Sequence, residues 1–178
     1  GIANLGIDLN GASLVAGSTG TVTLIGTGVN GCGVCNASVT TTGATLSITG
    51  TTTSGTADIV SKTSNINTSG GNITFIGNSY VGDVSEAINA GSGTVTFQNR
   101  TSGTLVNVGG ADVIVGSPST LGVSNAELNR ITAANTRIGS TTAGNLTVST
   151  AITTLAATGN LYLQTNGTAT VNASSVVS

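Results

Sequence analysis

The stretch "GTVTLIG", residues 20–26, alternates aliphatic residues and threonine between two glycines. Near-copies follow: "GATLSITG" (43–50), "GGNITFIG" (70–77), "GTVTFQN" (93–99), "GNLTV" (144–148) and "GNLYL" (159–163). A period of two sends Val22 and Leu24 to one face of a strand and Thr21 and Thr23 to the other. Superposing the strong strands brings Val22, Leu46, Ile73 and Val95 into one column, at intervals of 24, 27 and 22 residues. A second column, Leu14, Val39, Ile66 and Ile88, keeps step at 25, 27 and 22. Two columns sharing the same uneven spacing define a unit of roughly 25 residues with three short strands, which is one coil of a parallel β-solenoid.

The expected fold is therefore all-β, a right-handed parallel β-helix of about seven coils in one domain, with strands stacked at ~4.8 Å into a rod about 35 Å long. Residues 1–100 read as regular coils, 101–135 as an irregular coil with a short helix, and 136–178 as regular coils again, since Leu146 and Val171 lie one coil length apart. Ser124 followed by Glu127 is a capping box, which predicts a helix near 124–131 with Ala126, Leu128 and Ile131 against the solenoid wall. Glycines fit the corners, where φ > 0 is needed, and the single proline, Pro118, avoids the strong strands. The first and last residues already follow the repeat, so no polar cap is read at either end. Either the chain is cut from a longer rod or its ends join head to tail.

Composition narrows the function. Glycine makes up 27 of 178 residues and charged side chains number ten, four basic and six acidic, with no histidine. That content alone is compatible with low-complexity disorder, but the strand-period patterning argues for a buried core. Without a basic stripe or aromatic platform, no nucleic-acid partner is expected. No apolar run reaches the ~18 residues of a membrane span. "GIANLGIDLN" (1–10) has neither the basic start nor the apolar core of a signal peptide, so an exported form is expected to be a processed or excised piece. Ionisable groups are too few for convergent acid–base work, and we expect neither an enzyme nor a cofactor.

The remaining motifs are candidates of uneven weight. Cys32 and Cys35 in "GCGVC" suit a local or intermolecular disulfide or a pair of reduced bystanders. Zinc would need two further Cys or His ligands, and a redox pair would sit in a βαβ context, which is missing. Asp8, Asp58 and Asp83 fall at multiples of the coil length, so stacked carboxylates sharing a calcium ion compete with ordinary solvated turns, the favoured reading. T-x-T pairs at Thr21/Thr23, Thr94/Thr96 and Thr168/Thr170 could rank hydroxyls as ice-binding faces do, although the second and third coils break the pattern. Seven sequons mark candidate glycosylation sites, Asn36, Asn67, Asn72, Asn99, Asn145, Asn166 and Asn172, barely more than chance provides.

Taken together, the G-x-V-T-L-x-G units, "GSGTVTFQNRTSGTLVNVGGADV" (91–113), "LGVSNAELNRITAANTRIGSTTAGNLTVSTAIT" (121–153) and "TGNLYLQTNGTATVNASS" (158–175) resemble the repeat regions of giant bacterial surface exoproteins, the filamentous-haemagglutinin-like, β-strand-repeat kind. The resemblance covers essentially the whole chain and is most specific over 121–153. It implies a secreted right-handed β-helix that serves as stalk, adhesin or matrix fibre at the bacterial surface, with itself and glycans as partners and no catalytic residues to transfer. The CxxC pair and the lack of a recognisable secretion domain depart from that pattern. The reading is an extracellular filament or stalk segment stacking end to end; the alternative is a glycan-binding module or, less favoured, an ice-binding solenoid.

Overall fold

A computed structural model describes residues 4–10, 12–55, 57–61, 64–153 and 159–172. The first coil contributes β1 (Ile7–Asp8), β2 (Ser13–Ala16) and β3 (Thr21–Gly28). The second adds β4 (Val34–Cys35), β5 (Ser38–Thr41) and β6 (Thr45–Thr52), and the third β7 (Ile59–Ser61), β8 (Asn65–Asn67) and β9 (Ile73–Ile76). The fourth begins with β10 (Tyr80–Gly82), β11 (Ala87–Asn89) and β12 (Thr94–Gln98). After it come β13 (Leu105–Val108), β14 (Thr120–Val123), helix α1 (Asn125–Leu128), β15 (Ile131–Thr132) and β16 (Asn135–Gly139). Strands β17 (Leu146–Val148), β18 (Asn160–Gln164) and β19 (Ala169–Val171) complete the described chain.

Every ladder between these strands is parallel, and they form four walls: A is β1-β4-β7-β10, B is β2-β5-β8-β11-β15, C is β3-β6-β9-β12-β16-β18, and D is β14-β13-β17-β19. The chain is a β-solenoid. In wall C, Val22 pairs with Leu46, Leu46 with Ile73 and Ile73 with Val95, the column expected from the alternation. Wall B holds Leu14, Val39, Ile66 and Ile88 in register in the same way. Leu46, Ile73, Val95, Val39, Ile66 and Ile88 are fully buried, while their threonine and asparagine neighbours face outward. Phe75 stacks on Phe97 with centroids 5.0 Å apart, and Tyr80 meets both rings at 5.0 and 4.9 Å, which fills the wide end of the core between walls A and C. Gly20, Gly43, Gly70 and Gly91, with φ of +92°, +129°, +109° and +55°, turn the chain into β3, β6, β9 and β12, conformations that an L side chain resists.

Wall C has six rungs, so the stack has about six turns and not seven. Dividing the chain by a constant coil length overcounts because β12 pairs directly with β16, Val95 opposite Thr136, across 41 residues. The fifth of the six similar stretches also changes place: "GNLTV" forms β17 of wall D, and "NTRIG" (135–139) takes the wall C rung, with Thr136 buried where the other rungs carry an aliphatic. The last pairing joins Leu146 to Ala169 and Val148 to Val171, 23 residues apart, shorter than the expected return of 25.

The irregular coil departs from sequence order. β13 pairs with β17 on one side and with β14 on the other, so β14, which follows β13 in the chain, lies nearer the first coils. Residues 109–119 double back to allow this, closed by an antiparallel bridge between Val113 and Thr120. Within the loop Ile114, like Val81 of β10, packs against a small cluster of Cys32, Cys35, Ala57 and Val60 on the outer side of wall A. Helix α1 then starts at the expected cap: Ser124 Oγ accepts from Glu127 N–H, and the Glu127 side chain accepts from Ser124 N–H. Leu128 and Ile131 are buried against the wall as expected. Ala126 is exposed, because the single turn of helix presents Glu127 and Leu128 inward.

Candidate functional site

The structure gathers four of the chain's ten charged residues, Glu86, Asp112, Glu127 and Arg130, at the junction of walls A and D. There β10 and β14 run side by side without a backbone ladder, and two carboxylates fill the gap. Asp112 accepts from Tyr80 N–H of β10 through Oδ2 at 3.1 Å and from Gly122 N–H of β14 through Oδ1 at 2.8 Å. Two residues further on, Glu127 accepts from Gly82 N–H of β10 through Oε1 at 2.8 Å and from Ser124 N–H, just past β14, through Oε2 at 2.8 Å. Each carboxylate thus replaces the carbonyls that a ladder would have supplied, and buried N–H groups that would otherwise stand unpaired are satisfied. Gly122 admits the Asp112 segment: a Cβ there would collide with Ala111 and Asp112 backbone.

A second layer of ionisable groups lies behind this seam. Glu86 is buried, accepts a hydrogen bond from the Tyr80 hydroxyl and pairs with Arg130 Nη1 at 3.7 Å. Burial pushes the Glu86 carboxyl up to about 7, against the opposing pull of Ser61, Tyr80 and Arg130. Burial likewise raises the Asp112 carboxyl to about 7, although the Gly122 and Tyr80 N–H groups favour its ionised form. The Tyr80 hydroxyl is held well above its ordinary range by burial, then by the neighbouring Glu86 charge. Asp58, also buried, accepts from Thr52 N–H and Asn78 N–H at 2.6 Å each and faces Arg100 at 3.8 Å, tying successive coils together at a corner. A cavity of about 60 Å³ beside Asp58 and Arg100 is roofed by Ile114 and Ser119. Backbone N–H groups occupy the carboxylates of Asp58, Asp112 and Glu127, which ties neighbouring strands and coils together.

The sites singled out from the sequence do not converge, and several of them are buried. Asp58 and Asp83 do not stack: Asp58 precedes β7, whereas Asp83 follows β10 and accepts from Ser85 N–H at 2.8 Å in its own turn. Asp8 lies in the column of Cys35 and accepts from Asn36 Nδ2 at 3.1 Å. Among the described residues no group of three His, Cys, Asp or Glu side chains has the arrangement of a metal site. Cys32 and Cys35 are joined, with Cα atoms 5.8 Å apart, and belong to the small outer cluster of wall A. Asn72, Asn145, Asn166 and Asn172 are exposed, and Asn36 and Asn67 half-buried. Asn99 is 2 % exposed, and its Nδ2 donates to Thr101 O at 2.9 Å. The hydroxyl column Thr23, Ser47, Thr74, Thr96 covers four rungs and then gives way to Arg137 and Tyr162, where the guanidinium lies 5.3 Å over the ring.

Among the described residues the open concavities include a groove of about 360 Å³ on the outer face of wall D and one of about 480 Å³ between residues 101–104 and 116–119. Leu105, Asn107, Thr120, Asn145, Thr147 and Ser149 line the wall D groove, and no charged side chain does. Neither the wall D groove nor the carboxylate seam is foreseen from the sequence. Comparison with protein-family profiles, characterised proteins and solved structures finds no match. Among the described residues, no helix is long and apolar enough to cross a membrane.

Proposed function

We propose that this chain is a structural segment of an extracellular bacterial filament or adhesive stalk of the filamentous-haemagglutinin-like kind, and that its work is mechanical rather than enzymatic. The observation that carries the reading is the state of the two end rungs. Val22 and Leu24 in β3 are only half-buried, although Leu46 and Ile48 beneath them are completely enclosed. Following the same two columns through wall C leads to Leu161 and Leu163 in β18 at the other end, where Leu163 is again exposed. Among the described residues β3 and β18 are the outermost rungs of wall C, and the β18 edge of one stack matches the β3 edge of another in strand direction and in column, so a head-to-tail contact would bury both and pair their outer edges. Such a contact does not close on itself and builds a fibre, or continues a longer rod. The Cys32–Cys35 bridge suits an oxidising exterior.

Negative-stain electron microscopy and sedimentation across a concentration series test the proposal. Filaments one solenoid wide, growing with concentration and lost in Leu163→Lys with unchanged circular dichroism, are expected. A monodisperse monomer at every concentration contradicts self-assembly.

A further inference from the structure

We propose that the junction of walls A and D is a joint in the rod, opening on that side while walls B and C hold. Between the fourth and fifth coils wall C is joined by four residue pairs, from Thr94 with Asn135 to Phe97 with Ile138. Wall B is joined there by Ile88 with Ile131 and Asn89 with Thr132. On the third side no ladder joins β10 to β14. The N–H groups of Tyr80 and Gly82 cross instead to the side chains of Asp112 and Glu127, at 3.1 and 2.8 Å, and Glu86 adds its ion pair with Arg130. A rod tied by backbone on two sides and by side chains on the third has its weakest plane at that third side.

Strand order places the weakness there. Wall C sets one strand, β16, between β12 and β18, whereas the A/D side sets two, β14 and β13, between β10 and β17. Over these coils the two sides cannot keep their rungs level, and the mismatch falls on the junction closed by side chains. The cost of opening also differs between the sides. Parting a ladder uncovers paired backbone and the aliphatic columns behind it. Parting this junction returns carboxylates to water, and Glu86 and Glu127 are buried, so hydration recovers part of what their burial costs. Hinges of this kind need only a few residues at element ends, here 80–82, 111–112 and 122–127. The joint itself does not depend on assembly; its use, letting a filament flex without parting its core, rests on the filament reading.

The test is native-state hydrogen exchange of ¹⁵N-labelled protein, at a concentration where sedimentation shows monomer or with the Leu163→Lys variant. After correction for intrinsic rates, the amides of Tyr80, Gly82, Gly122 and Ser124 are expected to exchange at least about tenfold faster than those of Ile88 and Ala90. The latter two cross the same level in wall B, to the Arg130 and Thr132 carbonyls at 3.1 and 2.8 Å. A joint also opens as a unit, which separate fraying of single bonds does not. Asp112→Asn is therefore expected to speed Gly82 and Ser124, which bond to Glu127, and Glu127→Gln to speed Tyr80 and Gly122, which bond to Asp112, each about tenfold. Thermal melts confirm that the variants fold, and the comparison within the parent protein needs neither. Seam amides as slow as Ile88 and Ala90, or variant effects confined to the amides bound to the replaced carboxylate, overturn the joint and leave the filament reading to its own test.

Discussion

Gly82 and Glu127 are 45 residues apart, yet the Gly82 N–H donates to Glu127 Oε1 at 2.8 Å, in the place where a neighbouring strand would have offered a carbonyl. The same glutamate completes the cap of α1 through Ser124. One side chain therefore holds the helix and the junction of walls A and D. Glu127→Gln puts an amide NH₂ where one of two N–H donors now finds an acceptor, and should cost about 1–3 kcal/mol. Glu127→Ala removes both roles and should cost at least as much. Urea unfolding monitored by circular dichroism measures both, and a loss below about 0.5 kcal/mol in each would remove the seam from the account.

The raised carboxyls give the stability a definite pH dependence. Glu86 and Asp112 both titrate near pH 7 in the folded state, far above ordinary values of 4.5 and 3.8. Facing them are Tyr80, Ser61, Arg130, Glu127 and Asp58. Between about pH 4 and pH 7 the folded chain keeps protons that the unfolded chain has shed, so stability falls as pH rises. The contribution is complete below about pH 4 and is lost by the time pH passes about 7. The melting temperature should thus be higher in mildly acidic buffer than at pH 8, by an amount worth a few kcal/mol. Calorimetry across this range, with Asp112→Asn to flatten part of the slope, checks it; stability that climbs from pH 4 to 7 would show that hydrogen bonding to the carboxylates outweighs burial.

Gly122→Ala should expel the Ala111–Asp112 segment, because its Cβ has no room beside that backbone. The loop that carries Ile114 and the fully exposed Val115 then loses its anchor. Limited proteolysis should cut near 113–118 much faster than in the parent, while strand content from the first three coils persists. Equal cleavage rates would mean that the segment does not depend on that close approach.

The disulfide closes a very small loop, so its effect on the denatured chain is limited. Cys32→Ser/Cys35→Ser should cost about 2 kcal/mol or less. Reduced protein should remain folded in thermal melts, and collapse of the fold on reduction would assign the bridge a larger role than its position in the small outer cluster of wall A supports.

Much of the architecture was legible because a stacked coil repeats its own burial pattern. Val22, Leu46, Ile73 and Val95 announce a common column through alternation and glycine corners, and Ser124 with Glu127 announces the helix start. The fifth rung was hidden by Thr136, a polar residue in an aliphatic column, while "GNLTV" has the spelling of wall C and lies in wall D. Local patterns also carry no mark of strand order, since a parallel pairing of β13 with β14 or with β17 asks for the same alternation. The seam was out of reach for a related reason. Asp112 and Glu127 acquire their partners only when β10 and β14 meet, and nothing within a few residues of either betrays an N–H waiting across the gap.

Spin labels at Thr23, Arg137 and Tyr162 test the stacking itself, since these residues share one outward column of wall C. With one rung every ~4.8 Å, electron–electron resonance should give about 19 Å between backbones at Thr23 and Arg137 and about 24 Å between Thr23 and Tyr162. Separations that fail to grow from the first pair to the second, or that bring Thr23 and Tyr162 within one strand spacing, would contradict a solenoid of in-register turns.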